Sequence, residues 1–119
     1  MWWKLLGSED RRNKISEAIS KVASADIGAF CNISDASESK IMITVENSGE
    51  ADKVNIVVQG DLSDDTIAKI QEIIEKAGGD TMMMQILVTK NEAVDIIEKI
   101  FSIALGSEEY DVNIELALE

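Results

Sequence analysis

Histidine and proline are missing from this chain, and among its 119 residues there is one cysteine, Cys31. Without histidine there can be no Ser-His-Asp or Cys-His catalytic arrangement and no histidine-bearing metal site. A single cysteine excludes an internal disulfide and any cysteine-only zinc cage. The chain also lacks a Walker-type phosphate loop, and its Gly78-Gly79 pair follows a helical pattern instead of opening one, so it is a stop signal and not a dinucleotide fingerprint. No run of about 18 or more apolar residues is present to span a membrane. The opening Met1-Trp2-Trp3-Lys4-Leu5-Leu6-Gly7 is too short for the apolar region of a secretory signal, so the expected location is the cytoplasm. Aromatics are also scarce, at 4% of residues.

Aliphatic residues and carboxylates fill the chain instead. Hydrophobic residues make up 45% of it, and seventeen of them are isoleucine, enough for one core at this length. Cys31 falls in a β-rich run, on the face expected to carry Ile27, Ala29 and Ile33, which marks it as a small buried hydrophobe and not a nucleophile. The net charge of −12 is unevenly spread. Residues 1–60 carry seven Lys/Arg and nine Asp/Glu, whereas residues 61–119 carry four and fourteen. Residues 1–21 are net positive. A surface this acidic repels phosphate backbones and anionic lipid, so nucleic-acid and membrane partners are disfavoured and basic partners favoured.

Periodicity predicts the order α-β-β-β-α-β-α-β. The first helix is expected over 9–25, capped by Ser8, with Ile15, Ala18, Ile19 and Val22 as its stripe. Short β-rich runs at 27–33, 41–46 and 54–59 are joined by polar connectors suited to an antiparallel meander. Ser63-Asp64-Asp65-Thr66 then caps a second helix with the stripe Ile67, Ile70, Ile74 and Ala77. The apolar run 82–88, including Met82, Met83 and Met84 as core filling, reads as a central strand. Thr89-Lys90-Asn91-Glu92 resembles a capping box for a third helix over 91–105, which Gly106 ends. The alternating run 110–118 reads as a strand with one wet face, at or near a sheet edge. The expected fold is α+β, a single domain in which residues 1–7 form an apolar segment and 8–119 the body. Its five-stranded sheet would be mixed, with a parallel tail, and packed by three helices.

Two functional readings follow. The first is a non-catalytic protein-interaction module that binds a protein partner or itself. Trp2, Trp3, Leu5 and Leu6 would supply an apolar interface, and the basic front would dock on the acidic back of a second copy, or strand 110–118 would pair with its symmetry mate. The second is a small magnesium-dependent enzyme or phosphate binder. Were 54–59 and 82–88 parallel neighbours, Asp61, Asp64 and Asp65 would lie at the same rim as Lys90 and Asn91, the carboxylates to hold Mg²⁺ and the lysine to meet a phosphate. Asp64 and Asp65 also serve any helix in its first turn, which keeps the interaction module as the favoured reading.

Overall fold

The computed structural model describes residues 2–36, 40–50, 52–107 and 110–118, with side-chain surroundings given from residue 9 onward. The elements are α1 (Trp2–Ser24), β1 (Phe30–Asp35), β2 (Ile41–Asn47), β3 (Lys53–Gly60), α2 (Asp64–Lys76), β4 (Gln85–Thr89), α3 (Lys90–Leu105) and β5 (Val112–Ala117). The class and the element order are those expected.

The first helix buries Ile15, Ala18, Ile19 and Val22, the stripe that its spacing implies. It runs through Ser8 back to Trp2, so Ser8 lies inside the helix and does not cap it. At its other end the side-chain amide of Asn47, the last residue of β2, donates to the carbonyl oxygens of Val22 (2.9 Å) and Ala25 (2.8 Å). Helix ends leave such carbonyls without intrahelical partners, and here a strand supplies the donor.

The sheet order is β4-β3-β2-β1-β5, and every neighbouring pair is antiparallel. The meander β1-β2-β3 is as expected, but the mixed sheet and the parallel β3–β4 pair are not. Lys53 faces Thr89 and Val57 faces Gln85, so β4 starts where β3 ends. The cause lies in α2. A parallel crossover needs a helix that carries the chain back along the sheet, yet both ends of α2 stay near the end of β3. Before the helix, Asp61 N–H donates to the Lys40 carbonyl (3.1 Å). After it, Val58 N–H donates to the Met84 carbonyl (2.9 Å), and Gly79 lies close against Gln85 and Ile86. By contrast, β4 and β5 run the same way with α3 between them, but they form the two edges of the sheet and do not touch.

The expected central strand is therefore a five-residue edge strand. Residues 80–84 form a tight turn in which Asp80 Oδ1 accepts from the N–H groups of Met82 (3.0 Å) and Met83 (3.1 Å). Met82 is 91% exposed and Met83 62%, which corrects their assignment to the core. Met84 alone packs against the core.

Helix α2 begins as expected, with the Ser63 hydroxyl accepting from Thr66 N–H, and buries Ile70 and Ile74. Thr89 caps α3 by accepting from Glu92 N–H while its hydroxyl donates to the Glu92 carboxylate. All three helices lie over one sheet face, where Cys31, Ile33, Ile43, Val45, Ile56 and Ile86 meet them. The other face carries polar ladders, such as Thr44 Oγ1 donating to Asn32 Oδ1 (2.8 Å) and Asn55 Nδ2 to Gln85 Oε1 (3.2 Å).

Candidate interaction surface

The antiparallel β3–β4 pair separates the two halves of the expected magnesium and phosphate rim. Asp61 follows the C-terminal end of β3, and Asp64 and Asp65 are exposed in the first turn of α2. Lys90 and exposed Asn91 start α3 at the opposite end of the strand pair. There the Lys90 ammonium lies 3.4 Å from Asp52 Oδ1, and the backbone N–H of Lys90 donates to the Asp52 carbonyl. Among the described residues, no group of three or more His, Cys, Asp or Glu side chains converges on a point where a metal ion could sit. The backbone of Trp2, Trp3, Leu5 and Leu6 belongs to α1, but their side chains lie outside the described residues.

Cys31 is fully buried between Ala29 and Ile33, and desolvation pushes its thiol up to about 11. The thiolate that a nucleophile requires is thereby disfavoured.

A different site is assembled where α1 meets β5. Arg11 and Arg12 clamp this helix to α3. Arg12 forks onto Asp95 (2.8 Å) and Glu98 (2.9 Å), and these carboxylates hold its guanidinium above its ordinary range. Arg11 is buried, donates to the Tyr110 carbonyl (2.9 Å) and lies 3.6 Å from Glu98 Oε2. These contacts fix the angle at which α1 leaves the edge of the sheet.

Between α1 and β5 runs a groove of about 370 Å³. Ala18, Val112, Ile114 and Leu116 give it an apolar floor, and Lys14, Glu17 and Lys21 rim it. Lys21 reaches back to Glu17 (3.2 Å), and Lys14 lies 3.5 Å from Asp111.

One side of β5 pairs with β1, and among the described residues no strand lies beside the other. Ala36 N–H donates to the Asp111 carbonyl, which sets the phase of the β1–β5 ladder. With antiparallel alternation, the main-chain groups of Ile114 and Leu116 then point away from β1, toward the open edge. Leu116 shares the core-side face with Cys31, its partner in the ladder, yet remains 43% exposed, and Leu118 is 38% exposed. At the other edge, by contrast, the inward residues Ile86 and Val88 of β4 are already buried.

The alternation in 110–118 made this strand and its wet face legible. The groove was not, because Lys14 and Lys21 lie more than ninety positions from the strand they flank, and no local pattern links them. No helix among the described residues is long and apolar enough to cross a membrane. The sequence matches no protein-family model, and neither the curated proteins nor the solved structures yield a match to this chain.

Proposed function

We propose that this chain is a protein-interaction module whose partner is a second copy of itself, joined antiparallel along β5. The observation that carries this reading is the open β5 edge with Leu116 uncovered on its inward side, next to a basic-rimmed groove. With Ile114 opposite its own counterpart, Val112 of each copy meets Leu116 of the other, and all of these side chains stay on the helix-covered face. The added strand satisfies edge N–H and C=O groups and makes one continuous ten-stranded sheet. Covering the rest of each leucine contributes on the order of 1 kcal/mol.

Charge favours the same edge. Two chains of net charge −12 repel across most of their surfaces. At the groove, Lys14 and Lys21 outnumber Glu17, and the approach to β5 carries Asp111. In this register Asp111 of one copy comes opposite Ala117 of the other, next to Leu116, which shares the groove with Lys21. Edge β4 offers less, since a strand added there covers inward side chains that are already buried.

Light scattering coupled to gel filtration tests this across a range of concentrations. The expected result is a reversible shift from the 13.0 kDa chain to twice that mass, with a dissociation constant on the order of micromolar. The substitution Leu116→Glu, at an exposed position, should keep the chain monomeric without loss of its circular-dichroism spectrum. A monomer at the highest soluble concentration, or a dimer indifferent to Leu116→Glu, refutes the assignment.

A further inference from the structure

A second, larger groove of about 650 Å³ lies between α2 and α3. Helix α2 contributes Lys69, Ile73 and Lys76, spaced i, i+4, i+7 on one face. Helix α3 contributes Lys99, Ser102 and Ile103, also on one face. Residues 61–119 contain only four Lys/Arg against fourteen Asp/Glu, and three of those four cations line this groove.

The local carboxylates do not neutralise Lys69 and Lys99. Glu72 pairs with Lys76 (3.2 Å), and Glu98 is engaged by Arg11 and Arg12. Among the described residues, no carboxylate lies within ion-pair distance of Lys69 or Lys99, although this half of the chain has carboxylates in excess. Ile73, Ile103 and the half-buried Ser102 line the same groove.

We infer that this groove binds a small organic anion, with an oxyanion head group on Lys69 and Lys99 and an apolar body against Ile73 and Ile103. The size suits a small molecule. The surrounding charge also argues for a small ligand over a polyanion. A nucleic acid or lipid surface meets the field of the whole acidic chain, whereas a compact anion seated in the groove feels chiefly charges within about one Debye length, roughly 8 Å. This site is independent of β5 and does not rest on self-association. It moves phosphate-type binding away from Lys90, which is committed to Asp52, to the lysines that α2 and α3 bring together.

The test is a titration of the full chain, followed through its backbone amide resonances at constant ionic strength. Phenyl phosphate, benzoate and inorganic phosphate serve as probes. Phenyl phosphate or benzoate should give saturable shifts confined to residues 69–76 and 98–103, with millimolar or tighter affinity. Inorganic phosphate should bind at least several-fold more weakly, because it lacks the apolar body. Whichever aromatic probe binds more tightly identifies the head group. The double substitution K69E/K99E, at two exposed helix positions, should reduce affinity about tenfold or more with the rest of the spectrum unchanged. Shifts that do not saturate, shifts spread equally over Lys14, Lys21 and Lys53, or undiminished binding by K69E/K99E would each overturn the site. Equal affinity for inorganic phosphate and phenyl phosphate would overturn the role given to the isoleucines.

Discussion

The Arg11 guanidinium lies 3.8 Å from the centre of the Tyr110 ring, and its Nη1 donates to the Tyr110 carbonyl at 2.9 Å. The same ring stacks on Phe101, with centroids 5.4 Å apart. One aromatic residue thus ties α1 and α3 to the segment that leads into β5. A cation over a ring contributes about 0.5–2 kcal/mol, and a hydrogen bond from a charged donor about 1.5–3 kcal/mol. Replacing Arg11 by Met keeps the packed stem and removes both interactions, so urea denaturation should show a loss of about 2–5 kcal/mol. Tyr110→Phe keeps the ring and removes the long 3.4 Å hydrogen bond that its hydroxyl donates to the Glu98 carbonyl, so it should cost less than about 1 kcal/mol.

Asn47 is the second tie between distant segments. Its amide closes the C-terminus of α1, while its Oδ1 accepts from Gly49 N–H at 2.8 Å. Asn47→Ala should destabilise by about 1–3 kcal/mol, because part-buried carbonyls lose their donor. Asn47→Asp should cost at least as much near neutral pH, since a carboxylate there faces carbonyl oxygens at the negative end of the helix dipole. Thermal melts of the two variants, run side by side, check the order.

The adjacent glycines that end α2 separate conformation from space. Gly78 has φ of +78° with open surroundings, so Gly78→Ala should cost about 1–2 kcal/mol of left-handed strain. A Cβ on Gly79 would lie 2.5 Å from the Gln85 carbonyl oxygen and 2.8 Å from Ile74 Cγ2. Since β4 must move to make room, Gly79→Ala should cost about 3 kcal/mol or more. Equal losses would place the close approach elsewhere.

The buried Cys31 thiol links stability to alkaline pH. Its value rises from 9.0 to about 11 on folding, so the folded chain holds the proton more tightly than the unfolded one. The resulting stabilisation is fully present below pH 9 and is lost as pH rises through about 11. On the order of 2–3 kcal/mol is at stake. The difference in stability between the parent chain and Cys31→Ala should therefore shrink across that window. At pH 8 a thiol reagent should react with Cys31 far faster in urea than in the native chain.

Magnesium provides a direct check on the dispersed carboxylates. Asp64 and Asp65 act at the N-terminus of α2, and among the described residues no three carboxylates converge at Asp61 to form a cage. Millimolar Mg²⁺ should leave the amide resonances of residues 61–65 unmoved. A saturable shift there would restore a metal site.

Most of the elements were legible because their signals are local. Ser63 with Asp64 and Asp65, and Thr89 with Glu92, mark helix starts within four residues, and Gly106 at φ +66° marks a stop. The Met82–Met84 run misled because apolar content does not distinguish a strand from a turn held by Asp80. The site was legible only in part. The strand was readable from its alternation, but the Asp61–Lys90 pairing depended on strand direction, which no residue encodes.

The sequence by itself determined the class, the order of elements, the acidic surface, the inward stripe of each helix and the chemistry that the chain cannot perform. These follow from side-chain identity and from periods of two or 3.6 residues, which act over a few positions. Tertiary structure alone decided that β3 and β4 run antiparallel, that β5 has an open edge, and that Lys69 and Lys99 share a groove. Each of these depends on how a whole helix packs after its strand. The free energy that selects the packing is summed over the core, where many weak contacts between distant residues outweigh any local preference.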